Sequence, residues 1–143
     1  WGTDISGEAL AVAKANAEAL GAPVNLMLHN VLADDLPLEN LTIVVSNPPY
    51  IAKAEQHTMK KNVLDFEPHL ALFVPDDNPL VFYHALARRS MKSMRAGGIM
   101  AVEINERFGR EVAAAMLTAG LQQAVILKDI AGKERFVFAR KAD

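Results

Sequence analysis

The chain has 143 residues, enough for one compact domain and too few for two ordinary ones. A formal net charge of −2 and a pI near 6.1 argue against a domain that holds nucleic acid by its own surface charge, since that affinity rests largely on neutralised phosphates. The absence of cysteine excludes disulfides and thiolate metal sites, and no apolar run approaches the roughly 18–20 residues of a membrane span. The expectation is a soluble, cytoplasmic, enzyme-like domain that makes no use of a membrane.

In chain order, Trp1 to Asp4 reads as the tail of a strand. Ser6 stands where a helix N-cap belongs, with Glu8 in the favourable first turn. Leu10, Ala13, Ala17 and Leu20 then stripe one helical face, Gly21 is the expected stop, and Pro23 follows it. Val24 to Leu28 is a short apolar run between turn residues and predicts a buried strand. Asp34-Asp35 and Pro37 mark a loop. Leu41 to Val45, rich in β-branched residues, predicts a strand covered on both faces. It runs into Ser46-Asn47-Pro48-Pro49-Tyr50, which cannot continue the ladder because proline has no amide donor.

Beyond this point a short helix is expected around Ala54 to Lys61, with Phe66-Glu67-Pro68 in a loop. Asn78 and Pro79 read as cap and first residue of a helix that carries Leu80, Tyr83, Leu86, Ala87, Met91 and Met94 inward and stops at Gly97-Gly98. Ile99 to Ile104 predicts a buried strand, Phe108 to Ala119 a helix ended by Gly120. Two last strands, Gln122 to Asp129 and Glu134 to Arg140, flank a turn at Ala131-Gly132-Lys133 and are expected to pair antiparallel. Strands alternating with helices define an α/β sheet, mostly parallel, with an antiparallel hairpin at its carboxyl side.

Ligands of such sheets gather beyond the carboxyl ends of the strands, and two segments place polar residues there. Asp4, between a strand and a helix, carries a carboxylate that can accept from both hydroxyls of a ribose; it can equally serve only to start the helix. Asn47-Pro48-Pro49-Tyr50 is the more specific signal. Its prolines fix the backbone, so the Asn47 side-chain oxygen and the Pro48 carbonyl can stand side by side as a pair of acceptors for a planar NH2 group. Tyr50 can stack on that flat group. An amide nitrogen is a poor nucleophile because its lone pair is shared with the carbonyl. Two fixed acceptors that draw its hydrogens out of plane would favour attack on a methyl sulfonium by positioning and polarisation, without a strong base. The alternative for the motif is a rigid turn of two prolines.

These residues give the chain a resemblance to the HemK/PrmC family, which methylates the glutamine of the Gly-Gly-Gln motif in peptide-chain release factors. The resemblance is carried by Asp4-Ile5-Ser6 with Glu8-Ala9-Leu10, by Val45 to Ile51, by Glu67-Pro68 with Ala71-Leu72, by Gly97-Gly98 and Glu103-Ile104, and by Lys128-Asp129 with Gly132 and Arg135. It implies a class I, Rossmann-like, S-adenosylmethionine-dependent fold. It also implies that Asp4 meets the ribose, that Ile5 binds the cofactor, that Asn30-Val31 lies along the adenine, and that Asn47, Pro48, Pro49 and Tyr50 hold the glutamine, with Asn47 near the cofactor as well. Asn30 departs from the acid usual in the family. Family members also carry a helical amino-terminal domain, a first central strand and a glycine-rich cofactor loop, none of which matches residues from Trp1 onward. On that reading residues 1–143 are a partial catalytic domain, expected to bind S-adenosylmethionine weakly or not at all alone. Its sheet is expected to close directly, to borrow a strand in a homodimer, or to stay partly disordered.

Asn47 to Tyr50 also occurs in DNA and RNA amino-methyltransferases, so a nucleic-acid amino group is the competing substrate, and a catalytically incomplete partner-binding fragment a third reading. His29, His57, His69 and His84 show no ligand spacing and read as loop or surface residues; no metal is expected. Lys60-Lys61 and Arg88-Arg89 read as solvated faces, with a small basic surface as the alternative. Glu67 and Glu103 can orient the substrate or Asn47, or serve structural hydrogen bonds.

Overall fold

A computed structural model describes residues 1–59 and 61–143. The chain clusters into two compact units, Trp1–Leu36 and Pro37–Asp143.

In the first unit, β1 (Gly2–Asp4) pairs in parallel with β2 (Leu26–Leu28), and α1 (Gly7–Ala19) connects them. The helix starts as its sequence dictates: the Ser6 hydroxyl accepts from the Ala9 amide at 3.1 Å, satisfying one of the first-turn donors. It ends where Gly21 turns to a positive φ of 61°, a conformation open to glycine at no steric cost. Leu10, Ala13 and Ala17 are partly buried as the stripe predicts, but Leu20 is 81% exposed. It is the C-cap residue, where the helical period lapses. β2 is shorter than expected and only half-buried, with Leu28 turned to the surface.

The second unit is built on a four-stranded sheet in the order β3-β6-β8-β7, comprising β3 (Leu41–Ser46), β6 (Met94–Glu103), β7 (Gln122–Lys128) and β8 (Glu134–Arg140). β3 and β6 are parallel, while β8 runs antiparallel to both β6 and β7, giving the expected hairpin. Between β3 and β6 the chain forms β4 (Ile51–Ala52), a 3-10 turn (Lys53–Thr58), α2 (Lys61–Phe66), α3 (His69–Leu72) and β5 (Phe73–Val74). β4 and β5 pair in parallel as a small separate sheet. Two-residue strands leave no periodicity to read, which is why the sequence did not announce them. The helix expected over Ala54 to Lys61 is in fact the 3-10 turn, and Lys60 lies outside the described residues.

Helices α4 (Val81–Ser93) and α5 (Gly109–Thr118) cover one face of this sheet. Tyr83 and Ala87 of α4, Val112 and Met116 of α5, and Met100, Val102, Val137 and Ala139 of the strands form one buried cluster. Burying a side chain of this size contributes about 1.5–3 kcal/mol. The strand residues share a face because Met100 stands opposite Ala139 and Val102 opposite Val137. The alternate residues point the other way: Ile43, Val45, Ile99, Val125 and Leu127 are exposed, Val45 to 74%. β3 is thus covered on one face rather than on both. A β-branched run records strand propensity, and cannot say how many layers the strand meets.

Two boundaries also move. α4 begins at Val81 with Leu80 as its N-cap, and Asn78 instead forms the turn before it, its carbonyl accepting from the Val81 amide at 3.3 Å. The helix ends at Ser93, not at Gly97-Gly98, and β6 already starts at Met94. The glycines lie within the strand, where a Cβ on Gly98 would stand 3.0 Å from the Leu41 carbonyl oxygen and 2.9 Å from that of Arg95.

Candidate active site

β3 ends at Ser46, paired with Val102, one residue before β6 ends at Glu103, and Asn47 follows β3. Asn47 is exposed, Pro48 is buried, and Pro49 and Tyr50 are half-buried before the chain re-enters β4. The Tyr50 hydroxyl donates to Glu103 Oε1 at 2.9 Å. The Tyr83 hydroxyl, from α4, donates to the Glu103 main-chain oxygen at 3.1 Å. The end of β6 is therefore held by two phenols, one on its side chain and one on its backbone.

Burial foremost, and then the Glu103 carboxylate, push the Tyr50 phenol above its ordinary pKa. Tyr83, completely buried, is raised further, again by burial first. Both remain protonated donors at neutral pH. Arg135, at the start of β8, opposes that rise at Tyr50, and its Nε donates to Asp129 Oδ2 at 3.2 Å. Asp129 Oδ1 accepts from the amides of Ala131 and Lys133 at 2.9 and 3.1 Å, so one carboxylate organises the β7–β8 turn and holds the arginine. The Lys133 amide is the main cause of the lowered pKa of Asp129, and Asp129 in turn raises Arg135. Glu103 was legible as an acid ending an apolar strand. Tyr83 was legible only as an inward-facing helix residue and Arg135 only as part of a shared block, because neither shows its partners in the sequence.

In the first unit Asp4 is exposed at the carboxyl end of β1, and its Oδ1 accepts from the Ser6 amide at 2.8 Å. The helix-starting role is thus real. A carboxylate offers about four acceptor positions, so this bond does not exhaust it. Ile5, beside it, is 47% exposed. The His29 amide donates to the Asp4 carbonyl at 2.9 Å, which brings Asn30 and Val31 to the adjoining strand end, both half-buried. Asn30 Oδ1 accepts from the Leu32 amide at 2.9 Å, so the oxygen that could meet an adenine amino group already shapes the local turn.

His57, His69 and His84 lie at the surface as expected. His29 does not: it is 8% exposed, and its Nε2 is buried without a hydrogen-bond partner among the described residues. Arg89 is likewise buried, so Arg88-Arg89 is not a solvated pair. Glu67 is exposed after α2. Among the described residues no cluster of three or more metal-ligating side chains occurs, and no helix is long and apolar enough to cross a membrane.

Residues 1–65 match the UPF0020 family model, described as an RMKL-like methyltransferase domain. A methyltransferase from Pyrococcus furiosus superposes on 99% of the chain, over 61% of its own length, with a TM-score of 0.67 at 14% identity. The fold is that of the Rossmann-like S-adenosylmethionine-dependent methyltransferases. In sequence the chain is similar to proteins named release factor glutamine methyltransferase. It is 41% identical to the one from Bacteroides thetaiotaomicron over 139 residues, 96% of this chain and 50% of that protein. It is also 41% identical to the one from Cereibacter sphaeroides, over 96% of this chain and 49% of that protein. The chain spans about half the length of these curated relatives.

Proposed function

We propose that this protein transfers a methyl group from S-adenosylmethionine to the side-chain amide nitrogen, N5, of a glutamine in the Gly-Gly-Gln motif of peptide-chain release factors. Residues 1–143 would act as part of its catalytic domain, in the cytoplasm. The observation that carries the reading is the rigid Asn47-Pro48-Pro49-Tyr50 segment where β3 and β6 end, with Tyr50 tied to Glu103, in a chain 41% identical to release factor glutamine methyltransferases.

The cofactor-binding residues of the first unit are Asp4, Ile5, Asn30 and Val31. The exposed Asp4 carboxylate, with acceptor positions to spare, suits ribose hydroxyls. Ile5 offers apolar surface beside it, and Asn30-Val31 sits on the neighbouring strand end. When bound, the sulfonium supplies the methyl group as an electrophile.

Asn47, Pro48, Pro49 and Tyr50 are the catalytic residues. Asn47 Oδ1 and the Pro48 carbonyl accept the two hydrogens of the substrate NH2 group, and the prolines keep that pair of acceptors from relaxing. Holding both hydrogens off the amide plane returns lone-pair character to the nitrogen. Tyr50, a neutral phenol, covers the flat amide and excludes water. No strong base is needed before transfer, because the nitrogen sheds its extra proton only once it has become cationic.

Radiolabelled S-adenosylmethionine offered with a release factor, with the same factor bearing asparagine in place of the Gly-Gly-Gln glutamine, and with RNA and DNA tests the assignment. Label is expected on the first alone. Label on nucleic acid would point instead to an amino group of a base, the substrate of other enzymes that share the Asn47-to-Tyr50 motif.

A further inference from the structure

Three residues, Glu103, Asp129 and Arg135, gather behind Tyr50. Tyr50 Oη lies 2.9 Å from Glu103 Oε1. Glu103 is paired with Phe136 across the β6–β8 ladder, and the Ile104 amide donates to the Arg135 carbonyl at 2.9 Å, which sets Arg135 beside Glu103. Arg135 acts on both the phenol and the carboxylate, and is held at 3.2 Å by Asp129. Asp129 is itself fixed by the amides of its own turn.

We propose that Glu103 is a positioning residue for methyl transfer: its carboxylate, by accepting from the Tyr50 hydroxyl, fixes the plane of the Tyr50 ring against the substrate amide. The purpose rests on the methyl-transfer reading above, whereas the contact itself stands on geometry.

A tyrosine attached only through its Cβ can swing between staggered rotamers, and its ring can turn about the Cβ–Cγ bond. Tethering the hydroxyl at the far end makes the attachment two-pointed and selects one ring plane. A planar amide stacked on the ring is then oriented toward the acceptors on Asn47 and Pro48. Structural need alone explains Glu103 poorly. It ends a strand of apolar residues next to Val102 and Ile104, where an aliphatic side chain would pack without the desolvation that a half-buried carboxylate costs. The Tyr83 hydroxyl pins the same residue by its backbone, so the main chain at 103 is fixed whatever side chain it bears. What the carboxylate adds is the hold on Tyr50.

The test compares Glu103→Ala and Glu103→Gln, each alone and combined with Tyr50→Phe, in steady-state methylation of a release factor. Gln keeps an oxygen that accepts the phenol hydrogen bond. Glu103→Ala is expected to lower kcat about 10–100-fold, the scale of an angstrom-sized misplacement, with KM for S-adenosylmethionine unchanged. Glu103→Gln should restore most of that rate, and Glu103→Ala should cost nothing further in the Tyr50→Phe background. Additive losses, or a Gln variant as poor as Ala, would overturn the proposal.

A second measurement needs no activity. The chain has two tyrosines, and carbon-13 labelling at Cζ follows their ionisation separately by NMR. Glu103→Ala, which removes both the acceptor and its charge, should lower the Tyr50 titration while burial still holds it above the ordinary phenol range, and should leave the Tyr83 titration high. An unchanged Tyr50 titration would overturn the contact. Absence of any methyl transfer by the wild-type protein, with the Tyr50 titration shifted as expected, would refute the reaction and leave the contact standing.

Discussion

The hydroxyl of Tyr50 reaches Oε1 of Glu103 across 2.9 Å and 53 positions of sequence. The pairing follows from topology. β3 and β6 are parallel neighbours that end within one residue of each other, so the residues just after β3 meet the last residue of β6. That shared end is also where the loops of an open α/β sheet diverge and a ligand finds room.

In the full-length protein, Asn47→Ala should remove one of the two substrate acceptors. Loss of a single preorganised hydrogen-bonding group typically costs about 100–1000-fold in rate, so kcat on a release factor should fall by that much. Binding of S-adenosylmethionine, followed by calorimetry, should weaken only modestly. Turnover near that of the wild type would refute the assignment of Asn47.

Asp4→Ala should act on binding instead. The ribose does not change during methyl transfer, so the apparent KM for S-adenosylmethionine should rise, with kcat largely recovered at saturation. A rate that no concentration of cofactor restores would exclude the ribose role. The Asp4 Oδ1 bond to the Ser6 amide also disappears, so a slight loss of thermal stability should accompany the change.

Gly98→Ala should destabilise the second unit. The added Cβ would meet two backbone carbonyl oxygens, at 2.9 and 3.0 Å, and the Met94 Cβ at 3.1 Å, and backbone cannot step aside as a flexible side chain can. Overpacking of this kind costs about 1–3 kcal/mol, to be read as a lowered urea midpoint with an unchanged slope. An unaltered midpoint would show that β3 and β6 separate more easily than their spacing implies.

The turn at Asp129 should leave a signature in acid. Its folded pKa lies below the unfolded value of about 3.9, so the unfolded chain binds the proton more readily. The stabilisation is complete above that value and disappears as the pH falls through the folded pKa. Asp129→Asn should therefore flatten the decline of the urea midpoint below about pH 4, while lowering the midpoint at neutral pH. Equal slopes for both proteins in acid would argue against the Asp129–Arg135 pair.

Much of this was legible beforehand. Ser6, Gly21 and Gly120 bounded helices by local chemistry, and the β7–β8 hairpin was announced by its turn residues. The two prolines after β3 marked the candidate site because they forbid a continuing ladder. What failed depended on distant partners. Neither the open face of Ile43 and Val45, nor the burial of His29 and Arg89, nor the role of Arg135 follows from spacing along the chain. Asn78-Pro79 misled for a different reason: a cap-like pair can close a turn just as well as it can open a helix.

β8 lies between β6 and β7, so both of its edges are engaged in ladders. Its amides should exchange with deuterium among the slowest in the chain, opening only with the unit as a whole. Arg135 belongs to that strand, and through it the support of Tyr50 is attached to the most persistent backbone of the sheet. Heating or denaturant should then leave the Tyr50 surroundings intact until the sheet itself gives way, so that aromatic near-ultraviolet dichroism and far-ultraviolet dichroism of this unit vanish in a single transition.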